Sequence, residues 1–422
     1  MRPSPARRPL RIVFYQPHKN IWFKDPVRHI LRGESLPHKY AQLFDSLLAS
    51  GAETYASSSL CRQLGWKGWV RYLLDPIELA LWVHLNKVGF NKMRLIFTKA
   101  GLRSADAIFF MHYGNFTHEL AAQAERGDHL ARCLADVNVP KIAHLTHYAY
   151  HPAIGARNLQ TVGATLLFAE NNLQKNSRFY QKHFGKLAAD FWCLPFVAAK
   201  RFTCATPFSQ RTNKLVATGS ITYKMLDPEF ISFFKTDDLQ PVRRQLYKRA
   251  GEFSAEIDSL ISDLNASRVA DSAKPEPTWL RVVRRLFPFK HPRQEYHRYY
   301  KKNIVEVYNS YTMFAVPEEL GDLPAIGFVE GMACGCAYFG LDDPMYRDLG
   351  MEPGVHYVAY DGTVQGLADK VRFYQKPEHM PQLEQIAARG CELVNEKFRA
   401  EVVYRAFFDR LQRVLKPGAP DA

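Results

Sequence analysis

The sequence has no apolar run long enough to cross a bilayer. Its most apolar stretch, residues 69–90, is interrupted by four charged side chains, whereas a spanning helix takes about 20 predominantly apolar residues. The opening run Leu10–Tyr15 is short and contains Arg11, which does not fit a signal peptide. We therefore expect neither a transmembrane helix nor a secretory leader, and we predict a first β-strand in the opening run.

The cysteines and histidines lack the spacings of disulfide frameworks and metal sites. Seven cysteines are scattered along the chain without paired spacing, which favours a reducing, cytoplasmic compartment. One cluster of histidines could suggest a metal: His112, His118, His144, His147 and His151. No cysteine or carboxylate ligand accompanies them at metal-binding spacing, so we predict no metal site.

Three motifs of nucleotide-binding and hydrolytic enzymes are also missing. The sequence contains no Walker loop, no Gly-x-Gly-x-x-Gly fingerprint and no Gly-x-Ser-x-Gly elbow. These absences argue against a P-loop nucleotidase, a fingerprint-type dinucleotide enzyme and an α/β-hydrolase.

The composition is that of a globular protein with an uneven charge distribution. Hydrophobic residues make up 47% and charged residues 23% of the chain, and the length suits two domains. Residues 1–213 hold 28 Lys and Arg against 13 Asp and Glu, so the whole net charge of +14 lies in the first half. Such a field attracts an anionic partner: a bilayer surface, a nucleic acid or a phosphorylated substrate.

The first half alternates apolar runs with helical stretches, which predicts a parallel sheet flanked by helices. We predict strands at Leu10–Tyr15, Ala107–Met111, Lys141–Leu145 and Thr165–Phe168. Polar and aromatic clusters follow three of them, at 16–20, 112–118 and 146–151. Because ligands of open α/β sheets bind at the carboxyl ends of strands, a site is expected there.

The second half opens with a new predicted strand, Lys214–Gly219. A long excursion, Asp227–Tyr300, is predicted to be mostly helical. Regular α/β sequence then resumes, and we predict a strand at Tyr311–Val316, a helix around Phe328–Cys334, a strand at Ala337–Gly340 and a final helix from Asn395 to about Leu415.

The most informative segment runs from Asp322 to Gly340, with Asp322 in a loop and Glu330 in the first turn of the helix that follows. Unpaired N–H groups and a partial positive charge at a helix start suit a diphosphate. Glu330 can accept hydrogen bonds from a ribose diol. The small residues around it allow the helix to pack closely on the next strand. The alternative is a pair of capping carboxylates with structural duties alone.

This segment resembles the Glu-x7-Glu signature of the group 1, mostly retaining, GT-B-fold nucleotide-sugar glycosyltransferases. Sequence and family pattern coincide at Gly327-Phe328, at Glu330 and through Met332–Gly335, with Asp322 in place of the first Glu. Weaker similarities are Leu194–Phe196 before the second domain, the strand ending at Gly219 with Lys224 after it, and Asp361-Gly362. The family's Gly-Arg after that strand is Gly219-Ser220 here, and its glycine-rich first loop is replaced by residues 16–20.

The resemblance implies an α/β GT-B fold, with two Rossmann-like domains facing a central cleft and a C-terminal helix that crosses back to the first domain. The expected boundaries are 1–205 for the acceptor domain, 206–395 for the nucleotide-sugar domain and 396–422 for the returning helix. The implied donor-binding residues are Glu330 for the ribose, and Gly219, Lys224 and the backbone amides of Gly327 and Phe328 for the diphosphate. Asp322 is expected near the donor sugar.

The acceptor domain of the family often has a histidine at the end of its fourth or fifth strand. His147 is the preferred candidate here and His112 the second, and together with Asp322 they form the predicted catalytic set. A neutral imidazole can orient a hydroxyl or relay a proton near pH 7. The alternative for each is a loop histidine held by backbone hydrogen bonds.

The resulting prediction is a cytoplasmic glycosyltransferase that moves a sugar from a nucleotide-diphosphate donor to a hydroxyl of a glycan or lipid-linked glycan, with no cofactor and no metal. Polysaccharide or lipopolysaccharide assembly is the expected setting. The basic, amphipathic segment Arg71–Arg103 could contact anionic lipid at the inner face of the membrane or be an ordinary interior helix. The run Arg281–Arg293 is open to the same two interpretations. A catalytically inactive nucleotide-sugar-binding protein remains the alternative. Nucleic-acid binding rests on charge alone and is not expected.

Overall fold

A computed structural model describes residues 9–15, 52–57, 93–96, 99–111, 113–117, 130–221, 224–263 and 303–416, with a few isolated positions between 43 and 80. No helix in these described stretches is both long and apolar enough to cross a membrane. The chain divides into two compact units, unit 1 with residues 1–195 and 400–422, and unit 2 with residues 196–399.

Unit 1 is built on a seven-stranded parallel sheet in the order β3-β2-β1-β4-β5-β6-β7. Its strands β1 to β7 are Arg11–Tyr15, Glu53–Ser57, Met93–Ile96, Ala107–Phe110, Lys141–His144, Leu166–Ala169 and Asp190–Cys193. Helices α1 to α4 are Lys99–Arg103, Pro152–Val162, Leu173–Asn176 and Arg178–Phe184. Strands β4, β5 and β6 are buried at every residue, as expected for parallel strands covered on both faces.

Unit 2 has a second parallel sheet, in the order β10-β8-β12-β13-β14, and a separate two-stranded pair, β9 with β11. Strands β8 to β14 are Thr212–Ala217, Ser220–Ile221, Ile257–Ser259, Ser262–Asp263, Tyr311–Ala315, Ala337–Leu341 and Val358–Tyr360. Side chains of β12 alternate between two hydrophobic clusters, with Phe314 in one and Met313 and Ala315 in the other. Both faces of this sheet are therefore covered.

Helices α5 to α11 of unit 2 are Pro228–Phe234, Pro241–Lys248, Ile304–Ser310, Gly327–Ala333, Pro344–Asp348, Val364–Tyr374 and Met380–Lys397. Their starts follow ordinary capping rules. Asp227 accepts from the N–H groups of Glu229 and Phe230, with Pro228 in the first turn of α5, and Thr363 caps α10 through Gly366 N–H.

Two sequence-based predictions differ from the structure. The described part of the excursion after Asp227 contains α5 and α6, as expected, and also β10, which pairs in parallel with β8; residues 264–300 lie outside the described residues. A three-residue strand is too short for its alternation to be recognised. The single final helix is in fact two, because α11 ends at Lys397 and helix α12, Ala400–Leu415, begins after Arg399. Between them the Phe398 carbonyl accepts from Ala198 N–H at 2.9 Å.

Helix α12 belongs to unit 1. Its Phe407 ring packs on Phe109 of β4, Phe168 of β6 and Trp192 of β7, with centroid distances of 6.4, 5.6 and 5.7 Å. Aromatic edge and tilted contacts of this kind add specific geometry to apolar burial. The last helix thus completes the hydrophobic core of the first sheet.

Candidate functional site

Gly219 stands at the carboxyl end of β8 in a backbone conformation that requires glycine. Its φ is +138°, and a Cβ there would lie 3.1 Å from Arg243 Nε. Arg243 is 6% exposed and donates from Nε to Pro317 O at 2.6 Å and from Nη1 to Ser220 O at 3.2 Å. A guanidinium from α6 is therefore fixed beside the turn in which the resemblance implies an arginine and the chain has Ser220.

The loop after β12 begins at Val316 and carries two acidic residues before Asp322, namely Glu318 and Glu319. Glu319 accepts from Gln240 Nε2 at 2.6 Å and lies 3.5 Å from Arg243 Nη1. Asp322 is half-buried and has a left-handed backbone with φ of +59°. Asp and Asn tolerate this region better than other non-glycine residues. The loop is therefore anchored at Glu319, and the chain turns through left-handed backbone at Gly321 and Asp322.

In helix α8 every residue except Glu330 is buried, and Glu330 is half-exposed. The helix lies close to β12 because Gly327 and Gly331 have no side chains: a Cβ on Gly327 would be 2.6 Å from Val316 Cγ2, and one on Gly331 would be 2.4 Å from the Phe314 ring. The glycines therefore allow close packing against the preceding strand, whereas the helix meets the next strand, β13, through Phe328, whose ring centroid lies 6.0 Å from that of Tyr338.

The end of α8 explains the sequence Met-Ala-Cys-Gly in structural terms. Gly335 has φ of +70°, its N–H donates to Met332 O at 2.9 Å, and Cys336 N–H donates to Gly331 O at 3.2 Å. This is the Schellman arrangement. Arg211, 7% exposed, donates to the carbonyls of Cys334 and Gly335 at 2.8 and 2.9 Å. The helix that carries Glu330 is held firmly at its C-terminal end.

Two predicted diphosphate contacts are already engaged. The Phe328 N–H donates to Ala325 O at 3.1 Å, and Lys224 Nζ, on an exposed side chain, pairs with Asp237 Oδ2 at 2.7 Å. The Lys224 hydrogen bond lowers the pKa of Asp237. A phosphate would therefore have to compete with Asp237 for this lysine.

Asp361 and Gly362 form the turn between β14 and α10. Asp361 accepts from Thr363 N and Oγ1 at 2.9 and 2.8 Å, and these bonds lower the pKa of its carboxyl. Gly362 has φ of +81°. The similarity at this pair therefore has a local structural explanation, a turn that leads into a capped helix.

The loop after β5 in unit 1 brings His147 to the surface in a strained conformation. His147 is half-exposed, has φ of +57° and meets the Tyr150 ring edge-on at 6.2 Å. His112, the second candidate, lies outside the described residues, as do residues 16–20, Arg281–Arg293 and most of Arg71–Arg103. Left-handed backbone is uncommon for residues other than glycine, although histidine adopts it more often than most, and such positions cluster at functional sites.

His144, at the end of β5, is a buried structural residue. It is 1% exposed, with Nε2 3.1 Å from Glu170 Oε1 and Nδ1 3.3 Å from Met111 O, and its ring stacks on Phe168. Both ring nitrogens therefore lie within hydrogen-bond distance of an oxygen atom. This polar pair braces the carboxyl edge of the sheet immediately before His147.

Backbone strain and the predicted catalytic residues coincide. Among the described residues, four non-glycine positions have a positive φ: His147, His151, Lys235 and Asp322. His147 and Asp322 are the two described members of the predicted catalytic set. Left-handed backbone costs about 1–2 kcal/mol per residue for an L-amino acid, and surrounding structure retains such strain mainly at functional positions.

The sequence analysis missed Arg243, Glu319 and Arg211. Arg243 comes from a helix 24 positions after Gly219 along the chain, and no local pattern links the two. Arg211 precedes β8 and contacts the end of α8, more than 120 positions later in the sequence. No local pattern links these two segments either. Within the described part of the chain, no group of three or more His, Cys, Asp or Glu side chains could hold a metal ion.

Comparison with known proteins defines the fold. No protein-family model and no curated protein matches the sequence. Solved structures do match over nearly the whole chain. Anabaena Alr3699/HepE, solved with UDP and glucose, has a TM-score of 0.53 at 10% identity and covers 96% of this chain and 99% of its own.

Two further solved structures are similar to the same extent. A glycosyltransferase from Rickettsia africae has a TM-score of 0.52 at 10% identity, covering 98% and 100% of the two chains. Sucrose-phosphate synthase from Thermosynechococcus elongatus has a TM-score of 0.50 at 11% identity, covering 96% and 99%. These neighbours are GT-B glycosyltransferases with two Rossmann-like domains. The α/β GT-B fold predicted from the sequence is thus confirmed.

Proposed function

We propose that this chain is a glycosyltransferase that moves a sugar from a nucleotide-diphosphate donor to a hydroxyl of a glycan or lipid-linked glycan. The observation that carries the proposal is Glu330, the single half-exposed residue of a helix that is otherwise buried. Its position matches the second acid of the group 1 signature, which holds the donor ribose.

The donor site proposed for unit 2 is built from the loop between β12 and α8, from α8 itself and from the turn after β8. Asp322 contacts hydroxyls of the donor sugar, and Glu330 accepts from the ribose diol. Gly219 lets the diphosphate approach the backbone after β8 closely. Lys224 exchanges Asp237 for a phosphate oxygen, and the amides of Gly327 and Phe328 bind the same group once the Phe328 N–H leaves Ala325 O. The Anabaena neighbour was also solved with UDP-glucose, which supports a nucleotide sugar as the donor.

The proposed reaction is of the group 1 retaining type. The acceptor oxygen attacks the anomeric carbon on the face from which the diphosphate leaves, the bond to the diphosphate oxygen breaks, and a phosphate oxygen takes the acceptor proton. His147 orients the acceptor hydroxyl. A basic side chain and backbone dipoles stabilise the leaving charge, so activity is expected to be unchanged by EDTA and loss of activity on chelation would overturn this part of the proposal.

A thermal-shift screen tests donor binding directly. Purified protein is heated with UDP-, GDP-, ADP- and CMP-sugars, and a ligand at 100 times its dissociation constant adds about 2.7 kcal/mol of stability. We expect one nucleotide class to raise the melting temperature of the wild type and Glu330→Gln to reduce that shift. Glu378→Gln, the same change at an exposed glutamate, is the matched control. Equal shifts in all three proteins would contradict the role of Glu330.

A nucleotide-sugar-binding protein without turnover is the second candidate. The ion pair between Lys224 and Asp237 and the Phe328 N–H bonded to Ala325 favour it, because both occupy groups needed for the leaving diphosphate. Release of nucleoside diphosphate separates the candidates. A binding protein shows a thermal shift with a nucleotide sugar but releases no diphosphate with any acceptor.

The excess positive charge of residues 1–213 supports an acceptor presented at an anionic membrane surface. Clustered Lys and Arg contribute about 1 kcal/mol each near anionic lipid, and salt screens this attraction. We expect co-sedimentation with vesicles that contain an anionic phospholipid, weakening as salt rises, and none with neutral vesicles. Failure to bind anionic vesicles even at low salt would remove the membrane from the proposal.

A further inference from the structure

Glu318 is a buried carboxyl group that the donor site described above does not use. It is 6% exposed and stands at the start of the loop after β12, four residues before Asp322. Tyr338 of β13 donates to its Oε1 at 2.9 Å, and Leu341 N–H approaches the same atom at 3.3 Å. Tyr346 of α9 also bonds to Oε1.

The two tyrosines contact each other as well as the acid. Tyr338 and Tyr346 hydroxyl oxygens are 2.6 Å apart. Three oxygen atoms, Glu318 Oε1 and the two phenol oxygens, thus form a ring with three hydrogen-bond contacts. Each contact needs one proton, and two phenols bring only two. A separate hydrogen bond at each of the three contacts therefore requires a proton on Glu318, which then donates to one phenol and accepts from the other.

The surroundings agree with a protonated acid. In the described part of the chain no ion pair reaches Glu318, and the phenols of Tyr357 and Tyr360 also interact with it. The guanidinium of Arg243 donates to the neighbouring Pro317 carbonyl. Burial raises the pKa of Glu318 and outweighs the hydrogen bonds that lower it. Burial also raises the pKa values of Tyr338 and Tyr346 well above normal, so both phenols remain proton donors.

We propose that Glu318 is a positioning residue: a neutral carboxylic acid that closes a ring of three hydroxyl groups with Tyr338 and Tyr346 and thereby fixes the start of the loop that carries Asp322. The ring joins this loop to β13 and α9. Its importance for donor binding rests on the proposed function, whereas the protonation state and the fixing of the loop do not.

The first test is a pH profile of stability. A carboxyl that is neutral when folded and ionised when unfolded loses stability as pH rises from its unfolded pKa, about 4.3, through its higher folded pKa. Within that window one proton changes the unfolding constant about tenfold per pH unit. The amide of Glu318→Gln cannot ionise. We expect the stability of the wild type relative to Glu318→Gln to fall steadily from pH 5 upwards. The other titratable groups are common to both proteins.

An infrared difference spectrum between the wild type and Glu318→Gln provides a second readout of the same state. The wild type is expected to show the carbonyl stretch of a protonated carboxylic acid at neutral pH, which the variant lacks. Glu378→Gln, the exposed control, is expected to give neither the band nor the pH-dependent gap. A constant gap above pH 5, or a carboxylate band in place of the acid band, would overturn the proposal.

Hydrogen exchange tests the positioning role without any ligand. Tyr346→Phe opens the ring by removing one hydroxyl, and faster exchange is expected for amides of residues 317–326. Tyr357→Phe is the matched control, since the Tyr357 hydroxyl is near the ring but donates to Leu341 O at 3.2 Å. Unchanged exchange in Tyr346→Phe, or equal acceleration in both variants, would contradict the positioning role. A wild type that binds no nucleotide sugar would refute the proposed function. The pH profile, the infrared spectrum and the exchange rates would still test the role of Glu318, because none of them requires a ligand.

Discussion

The Arg243 guanidinium fills the space that a side chain on Gly219 would need. A Cβ on Gly219 would meet Nε at 3.1 Å and Cδ at 3.2 Å, and Arg243 is held in place by the carbonyls of Pro317 and Ser220. One glycine thus allows a buried cation to reach the carboxyl ends of two neighbouring strands, β8 and β12. The contact links the two loops from which the proposed donor site is built.

Gly219→Ala is expected to destabilise unit 2 by roughly 2–4 kcal/mol. The backbone strain at φ of +138° contributes about 1–3 kcal/mol, and displacing the side chain of Arg243 adds about 1 kcal/mol or more. Gly354→Ala is the control in the same unit, because Gly354 has φ of +76° but nothing within 4 Å of its Cβ position. Its expected cost is about 1 kcal/mol. If denaturant unfolding gives the same loss of stability for Gly219→Ala and Gly354→Ala, the side chain of Arg243 moves aside at no measurable cost.

Arg211→Lys is expected to destabilise unit 2 by about 3 kcal/mol. The guanidinium donates to carbonyls of Thr206, Cys334 and Gly335, and a single ammonium cannot reach all of them. Each buried carbonyl left without a donor costs about 1–3 kcal/mol. Arg249→Lys, an exposed arginine paired with Glu252, should leave the unfolding midpoint unchanged. The same comparison with a bound nucleotide sugar shows whether loosening the end of α8 weakens the hold on Glu330.

The sequence was sufficient for the strands that are buried on both faces and for the helix that carries Glu330. The predicted runs Ala107–Met111, Lys141–Leu145 and Tyr311–Val316 are rich in apolar residues, and they contain β4, β5 and β12. The predicted helix Phe328–Cys334 is α8, shifted by one residue. In these segments the hydrophobic residues of the sequence are the buried residues of the structure, so the local sequence is enough to predict the element.

Contacts between distant segments could not be predicted from the sequence. The bonds from Arg243 to Pro317 and from Arg211 to Gly335 join residues 74 and 124 positions apart. The ring around Glu318 gathers residues from a loop, a strand and a helix, each unremarkable in its own segment. Strand β10 and the break before α12 were missed because tertiary pairing, rather than periodicity, determines them.

Lys141 provides a pH test in unit 1. It begins β5, is 4% exposed and donates from Nζ to Val137 O at 2.6 Å. Burial lowers its pKa, with Asp136 acting in the opposite direction. A base whose folded pKa is lowered costs stability while the pH is below that value, and the cost disappears as pH rises towards the unfolded pKa of about 10.4.

We therefore expect the stability of the wild type relative to Lys141→Met to increase between pH 7 and pH 10. Lys186→Met, at an exposed lysine of the same unit, is expected to show no such trend. Unfolding free energies measured by denaturant titration at several pH values make the comparison. A gap that stays constant across this range would mean that Lys141 is as easily protonated in the folded protein as in the unfolded chain.

Substitution of Asp322 separates a structural bend from a catalytic carboxylate. Asn tolerates the left-handed backbone at φ of +59° and keeps the shape of the side chain, while Gly relieves the strain altogether. Both Asp322→Asn and Asp322→Gly should therefore keep the free energy of unfolding within about 1 kcal/mol of the wild type.

If the carboxylate binds donor-sugar hydroxyls in the transition state, both variants should lose glycosyl transfer by at least tenfold, since about 1.4 kcal/mol of lost stabilisation corresponds to a factor of ten. Nucleotide binding through Glu330 should persist, so the thermal shift with nucleoside diphosphate alone is expected to remain. Diphosphate release in the presence of acceptor measures the first effect and the shift measures the second. Full transfer activity in Asp322→Asn would assign this residue to the bend alone, and the strain at this position would then need a structural cause in the loop anchored by Glu318 and Glu319.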